Sequence, residues 1–594
     1  MSKATTQPTA QEPSLRGLQP VDGLQALVVP LAKSKPALLI LPAHRSWRLR
    51  LLVFAGLAAS YLAAGLWLSF RAGLVVGDAL SRVADARFVL FSRDPHLAAM
   101  GFVFTPLTTL LQLPLVAAMN ASPQLLSHAV PAIVMSSLCM SAAAWQLYGL
   151  VRDRGSSAVW AGGLTTAFAL HPMIMIYAAN GMSEAPFLLT MTVCARFLVR
   201  WTASDDVHDL AMVGISLALA YLVRYDGLAA AVTAGGLVLV VTWVRRRGTV
   251  AAPLFAGLMD ATIVVGPVSA AFSLWAGISW LLTGQAFAQF SSVYGNSEIL
   301  RLSGGSADTP AGRLLFSLME ALWLQPLLLV VAVAALVLSA IRRSLDALAI
   351  GSVFGPVLAF QTATYASGGT FAFLRFSIVA IPLAVALTAT LLPRMGLLTA
   401  RRPGPAARLH GRPHGPSQRQ QGAILVAAVV VLVPALVTSW VVMSSERTAP
   451  QEYLVPSTLT PSLVSARTRS LAEQQARMFS SDRALAEYLD SMQLPEGSVA
   501  TDTASSFAVV TASAHPRQFL IPSDEDFLNA LNDPVRHSVL YLLAVENTGR
   551  GTADVLNRRY STLYSDGAGV ASLAMVSRSS GLGQSDYRLY RVHG

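Results

Sequence analysis

Charge is in short supply in this chain. Only 13% of its 594 residues are Asp, Glu, Lys or Arg, about half the ~25% of a soluble domain. A large globular enzyme is thereby excluded. With 54% hydrophobic residues and a mean hydropathy of +0.53, the chain reads as a polytopic membrane protein with a soluble appendage. Cysteine is nearly missing: Cys139 and Cys194 both fall inside apolar runs and read as small packing residues, not as a disulfide or metal pair. No internal repeat is visible. A cleaved leader is not expected either. The apolar run from Leu24 to Leu41 is broken by Pro30, Lys33, Lys35 and Pro36, so residues 1–45 read as a disordered cytoplasmic tail.

The net charge of +11 implies no nucleic-acid partner, because most Arg clusters fall between apolar spans, where cytoplasmic retention explains them. Arg45, Arg48 and Arg50 precede a first span, Leu51 to Phe70, and place its start in the cytoplasm. Further spans are expected at 121–151, 158–177, 185–199, 210–223, 228–244, 261–282, one ending at Arg342-Arg343, 347–362, 371–392 and 423–443. The apolar stretch Phe102 to Met119 carries Pro106 and Pro114 and reads as partly immersed. With about 11 crossings, every strongly basic turn lands on the cytoplasmic side without adjustment. Residues 46–443 would form the transmembrane domain. A Pro/Arg-rich cytoplasmic linker falls at 394–421 within it.

Residues 444–594 have ordinary soluble composition and would lie outside the cell. Strand-like runs at 498–501, 518–521, 539–543, 571–576 and 587–591 alternate with helical candidates, suggesting a small α/β layer. A helix is expected over Arg467 to Met492. Two more would start near Ser523-Asp-Glu-Asp526 and Thr552-Ala-Asp554, with Ser523 and Thr552 as caps.

The expected topology sorts polar residues by side. Asp78, Ser81, Arg82 and Asp85 recur at helical spacings just after the first span. A carboxylate-bearing face beside a bilayer is costly and reads as a site. The competing reading is an ordinary surface helix with Asp78 paired to Arg82. Asn180, Glu184, Arg224, Tyr225, Asp226, Tyr294, Glu298, Arg301 and Arg375 map to the same boundary, as would any set of wet outer loops. Asp85 and Asp94 have Arg87 and Arg93 beside them and read as structural pairs.

Gly77-Asp-Ala-Leu-Ser-Arg82, followed by Gly101-Phe-Val-Phe-Thr-Pro-Leu107, resembles the first outer loop of the GT-C glycosyltransferases. Gly181-Met-Ser-Glu184, Leu222-Val-Arg-Tyr-Asp-Gly227 and Phe373-Leu-Arg-Phe376 are similar to motifs of that superfamily's bacterial members, in matching order and sidedness. The resemblance covers most of Leu51 to Leu392. It implies a polytopic α-helical membrane fold with a C-terminal extracytoplasmic α/β domain. The implied activity is sugar transfer from a polyprenyl-phosphate donor to an envelope glycan, lipid or protein acceptor, with inversion. The implied catalytic residues are Asp78, as base, and Glu184. Substrate binding would fall to Ser81, Arg82, Arg224, Tyr225, Asp226, Arg301 and Arg375, with Arg375 first for the departing lipid phosphate. For Arg224, pairing with Asp226 or snorkelling to the interface weighs equally. No cofactor is required outright. A divalent cation, Mg or Mn, would look to Asp78 and Glu184. Two rivals stand beside the enzyme: a transporter or flippase, disfavoured because ionisable residues cluster at span ends, and a non-catalytic scaffold. Gly181-Met-Ser-Glu-Ala185 lacks the second glycine of a hydrolase elbow, and Gly581-Leu-Gly583 is only a fragment of a dinucleotide fingerprint.

Overall fold

The computed structural model describes residues 46–246, 248, 250–288, 300, 309–392 and 432–593. The proposed tail 1–45, Tyr294, Glu298, Arg301 and the linker 394–421 lie outside the described residues.

Each of the eleven apolar segments contains a helix among its described residues. Six of these helices are long and apolar enough to cross a membrane, or up to eight if two bent pairs each count as one span. The remaining three differ for plain reasons. Glu184–Ser204 carries Glu184, Arg196 and Arg200 along its length. Val207–Val223 has only 17 residues, short of the ~20 a bilayer core requires. Leu432–Met443 is the described part of the last segment.

Several expected boundaries move. The second span starts at Val130, not Ala121: Pro123–Ser127 forms a separate short helix, and Ala129 takes a left-handed conformation before Pro131. The third span is two helices, Ala158–Ala169 and Pro172–Ala179, bent by 67°. Pro172 lacks the N–H that would continue the first helix. The eighth is likewise bent, by 75°, between Pro310–Leu324 and Leu328–Ile341, where Pro326 sits. The helix expected over 467–492 is broken into Ala466–Ala476 and Ser480–Ser491, because Phe479 has φ +63°.

The helices alternate in direction, and polar contacts sort to the two ends of the bundle. At one end Arg154 pairs with Asp346, and Arg196 Nε with Asp153 at 2.7 Å. Arg200 reaches Asp209 at 3.2 Å, and Arg245 meets Asp205 at 3.5 Å. The basic turns of the sequence thus gather together. The other end carries Asp78, Glu184, Arg224 and Arg375, and there the C-terminal domain docks.

That domain holds one sheet of order β2-β1-β3-β5-β4: β1 Val499–Ala500, β2 Phe519–Leu520, β3 Tyr541–Val545, β4 Ala571–Ser577 and β5 Tyr587–Val592. All five expected strands are present. β2, β1 and β3 are parallel, with the Thr503–Ala512 helix connecting β1 to β2; β5 and β4 close the edge antiparallel. Side chains alternate faces along each strand. Ala500, Leu520 and Leu542 pack on Phe527, Leu556 and Leu563. Val499, Phe519 and Leu543 join the core that runs on into the membrane domain. The Phe527–Asn532 helix follows Asp526, and Asp554 rather than Thr552 caps Val555–Arg559 by accepting from Leu556 N at 3.0 Å.

The Gly77–Phe91 helix ties the two domains. Arg87, on its buried side, donates Nη1 to the carbonyls of Val510, Thr511 and Ser513 at 3.1, 2.8 and 2.8 Å, and Nε to Asn120 Oδ1 at 3.2 Å. These are the orphan carbonyls at the end of the Thr503–Ala512 helix. Just beyond, Arg93 pairs with Asp524 at 3.1 Å and with Asp526, and Asp94 accepts from Glu525 N at 3.2 Å. The expected Asp85–Arg87 and Asp94–Arg93 pairs therefore do not form. Each arginine finds a partner across the domain interface, where desolvation makes a hydrogen-bonded guanidinium worth more than at an exposed turn.

Replacing Arg87 with Met strips three carbonyls of their donor and is expected to cost about 1.5–3 kcal/mol, seen as faster amide exchange in the Thr503–Ala512 helix; unaltered protection there would refute the brace. A second expectation concerns pH. Burial, together with the neighbouring Asp502, pushes the Asp554 carboxyl up to about 7. The folded state therefore holds a proton that the unfolded chain releases near its ordinary range, so stability declines as pH rises from about 4 through about 7. Protection of β3 amides, corrected for intrinsic exchange, should decrease over that window, and Asp554→Asn should flatten the slope. A slope of opposite sign would overturn it.

Candidate active site

Four stretches distant in sequence bring their polar residues to one place. The Gly77–Phe91 helix supplies Asp78 in its first turn, and Glu184 opens the Glu184–Ser204 helix. Both carboxylates sit at helix N-termini, where the backbone N–H groups favour negative charge. Arg224 and Asp226 lie in the short break between Val207–Val223 and Gly227–Arg245. Arg375 comes from a 3-10 turn, Leu374–Ser377, heading the Ala380–Leu391 helix.

Two glycines make the packing possible. Gly181 has φ +79°, and a Cβ there would lie 2.7 Å from that of Ala132. At Gly227 a Cβ would come within 2.8 Å of Tyr221 N. Larger residues at these positions would push Glu184 and Asp226 out of reach of their partners.

Arg375 is the bridge. Its Nη2 donates to Asp78 Oδ2 at 3.1 Å, and its Nε stands 3.8 Å from Glu184 Oε1. Glu184 Oε1 also accepts from Arg224 Nη1 at 2.8 Å. Arg224 in turn holds Asp226 Oδ2 with Nε and Nη2 at 3.0 and 2.8 Å. The result is an alternating chain: Asp78, Arg375, Glu184, Arg224, Asp226. Phe376 lies between the two guanidiniums, 5.3 Å from Arg375 and 5.4 Å from Arg224, and Phe187 and Phe373 flank them. Aromatic faces favour cations without competing for their N–H groups.

Within this chain the carboxylates differ sharply in access. The side chains of Glu184 and Asp226 are 1% and 2% exposed, whereas that of Asp78 is 42% exposed. Burial among protein atoms favours protonation of Asp78, but Arg375 and Arg82 outweigh it and hold the carboxyl below the usual range. Arg82 donates Nη1 to the Asp78 carbonyl at 2.9 Å and stacks on Phe104 at 4.2 Å. It makes no carboxylate ion pair among the described residues, so the Asp78–Arg82 side-chain pair of a plain surface helix is not formed. Ser81 donates to the Asp78 carbonyl at 3.3 Å. Tyr225 packs edge-on against Phe360 with ring centres 6.2 Å apart. Asp85 sits one turn below Arg82, and burial pushes its carboxyl well above the usual range against the pull of Arg82.

Two residues escaped the sequence reading. Tyr177 donates its hydroxyl to Glu452 Oε1, and both are buried. Glu452 lies within electrostatic reach of Arg375 and Glu184, and burial holds its carboxyl above the usual range. It follows the last apolar helix, in a stretch of ordinary soluble composition. Its one signal was position, because the topology returns the chain to this same end.

No protein-family profile matches the chain, and no curated protein matches it significantly. Solved structures match it by shape. The crystal structure of ArnT from Cupriavidus metallidurans bound to undecaprenyl phosphate aligns over 91% of this chain and 97% of that one, at TM-score 0.50 and 15% identity. The same protein in its apo state aligns over the same shares at 0.47 and 14%. The archaeal oligosaccharyltransferase AglB from Archaeoglobus fulgidus, in complex with an inhibitory peptide and a dolichol-phosphate, aligns over 83% and 69% at 0.38 and 10%. Only the first of these likenesses is close enough to bear on the fold, and at 15% identity it bears on the fold alone. That fold has the expected architecture: a helical domain with several apolar helices long enough to cross a membrane, and a small C-terminal sheet domain.

Proposed function

We propose that the protein is an integral-membrane glycosyltransferase that takes a sugar from a polyprenyl-phosphate carrier and passes it to an envelope glycan, lipid or protein acceptor. One observation carries the reading: of the three carboxylates in the charged chain, only Asp78 is accessible, and flanking guanidiniums keep it ionised. A general base needs both properties. The likeness in fold to a protein solved with undecaprenyl phosphate supports the donor class. Gathering of the ionisable groups at one end of the bundle, away from mid-span, favours an enzyme over a transport path.

In this reading an acceptor hydroxyl gives its proton to Asp78 as its oxygen attacks the anomeric carbon from the face opposite the phosphate. The bond from that carbon to the phosphate oxygen breaks, and the electron pair leaves with the lipid phosphate. Arg375, beside Asp78, and Arg82, which lacks a carboxylate partner among the described residues, would meet the charge that develops there. Arg224 is held on both sides by Glu184 and Asp226, so its role is to fix Glu184, not to meet substrate. Glu184 in turn sets Arg375. Ser81 and Tyr225 stay substrate-binding candidates at the rim, as does Arg301. A cation such as Mg2+ or Mn2+ would suit a departing phosphate; Glu184 Oε2, which makes no hydrogen bond among the described residues, and Asp78 would be the groups to hold it.

For orientation, the basic turns gather at the end opposite the site, which by the positive-inside rule is cytoplasmic. The active site and residues 444–594 would then face outward from the plasma membrane, with the N-terminus inside and 46–443 as the membrane domain.

With purified protein, labelled polyprenyl-phosphate sugars and an envelope acceptor, Asp78→Asn should lower transfer by about 10²–10⁴-fold while donor binding persists. Transfer at the wild-type rate removes Asp78 as base. Solute flux in proteoliposomes without donor consumption would replace the enzyme with a transporter. The acidic limb of the pH–rate profile should lie below the usual carboxylate range, and Arg375→Gln should move it upward, since that guanidinium is first among those that lower the Asp78 carboxyl. A limb that stays put refutes the coupling.

A further inference from the structure

The sheet domain turns one particular end toward the membrane site. Loops that precede β1 and β2 lie at the far end of the Gly77–Phe91 helix: Gln493, Leu494, Glu496 and His515 line one cavity with Phe91. β1, β2 and β3 are parallel, so their carboxyl ends point back toward the start of that helix, where Asp78 is. A direct contact agrees. Phe507, in the helix that leaves β1, packs edge-on against Phe479 with ring centres 5.9 Å apart. Phe479 Cζ in turn lies 3.8 Å from where a Cβ of Gly77 would be.

From β1 the chain crosses to β2 on one side and then to β3 on the other. In open α/β sheets such a switch point leaves a crevice outside the carboxyl ends, where ligands bind. The turn after β3, Thr548-Gly-Arg-Gly-Thr552, borders it and is drawn tight. Gly551 N donates to the Thr548 carbonyl at 2.9 Å, and Thr552 Oγ1 to that of Gly549 at 2.8 Å. The buried Asn557 donates Nδ2 to the Gly551 carbonyl at 2.9 Å. Gly549 takes φ +50°, and a Cβ on Gly551 would collide with the Glu546 carbonyl oxygen. The turn is therefore a fixed base. Arg550 at its tip is exposed, and its guanidinium makes no hydrogen bond or ion pair among the described residues. Its charge nonetheless acts on the Asp78 carboxylate, alongside those of Arg375 and Arg82. An arginine of the sheet domain thus stands near the accessible carboxylate of the membrane site.

We propose that Arg550 is an acceptor-binding residue that holds an anionic group, phosphate or carboxylate, beside the hydroxyl that attacks. The assignment rests on the glycosyltransferase reading. In that reading a lipid-anchored donor arrives through the helices, and Arg375 and Arg82 of the membrane domain meet its phosphate. A guanidinium that approaches Asp78 from the outer domain meets what enters from outside the membrane, which is the acceptor. An unpaired planar fork of N–H donors on a braced turn matches the paired oxygens of a carboxylate or phosphate. A neutral sugar gives it no counter-charge. The acceptor class is accordingly an acidic saccharide, and the sheet domain forms the outer wall of its site.

Two measurements on the full chain in detergent test this. An Asp78→Cys/Arg550→Cys variant should be joined intramolecularly by a short bismaleimide. An Asp78→Cys/Arg517→Cys control, at the opposite end of the helix, should not. Absence of the first crosslink overturns the placement. A neutral disaccharide and the same disaccharide as a uronate or phosphomonoester are then titrated. Both anionic forms should bind the wild type about tenfold more tightly, as expected of one charge-assisted pair. Arg550→Gln should erase that difference and Arg550→Lys restore part of it, with undecaprenyl phosphate binding unchanged in both. Equal binding of neutral and anionic sugars, or a preference that survives Arg550→Gln, overturns the role. So does a loss confined to undecaprenyl phosphate, which would move Arg550 to the donor. Transfer by Asp78→Asn is assayed in parallel. Arg550-dependent binding with transfer that survives Asp78→Asn keeps the anion site and sinks the catalytic reading, whereas Asp78-dependent transfer without an anion preference does the opposite.

Discussion

Charge buried beside a lipid bilayer must be paired, and at one end of this helix bundle the pairing is an alternating run of carboxylates and guanidiniums. Taking an ion out of water costs several kcal/mol even after the protein relaxes, and that cost is recovered only if each group finds a partner with good geometry. Glu184 can be 1% exposed because Arg224 lies 2.8 Å away. Arg375 can be buried because Asp78 and Glu184 stand on either side. Each residue comes from a different helix end, so the run also fixes where five helices meet. Asp78 stands at its one open end.

The same helix that carries Asp78 at its start carries Arg87 and leads into Arg93 at its end. The C-terminal domain grips that far end through three backbone carbonyls and two aspartates. A membrane domain alone would leave this helix lying on the bundle with its outer side exposed. With the sheet domain seated, both ends are held: one by Arg375, the other by helix carbonyls. The side-chain position of Asp78 is therefore set by contacts nearly 20 Å apart along the helix axis. Glu452 adds a third tie, from the segment that joins the domains to Tyr177 next to the Glu184 turn.

Much of this was legible from local pattern. Strand runs in the last 150 or so residues (~150, a domain-sized length) were found because a strand alternates with period two and turns separate it from its neighbours. Apolar helices were found because a bilayer demands length and low charge. Bends were harder: Pro172 and Pro326 mark them, but proline inside an apolar run also occurs without a break, as Pro114, Pro267 and Pro356 do here. The break at Phe479 has no glycine or proline to announce it. It exists because the chain must turn between the membrane domain and the sheet, which is a tertiary requirement.

The sequence by itself determined the class of protein, the gathering of its basic turns at one end and the residue types available at the other, because composition, span length and arginine placement are properties of the chain in order. It could not choose partners. Arg87 and Asp85, or Arg93 and Asp94, are neighbours in sequence, yet each arginine prefers a desolvated acceptor more than 400 positions away. Arg224 had two equal readings in the sequence, and in the structure it lies between Glu184 and Asp226. Ion pairing depends on distance and burial, and only the packed structure sets either one.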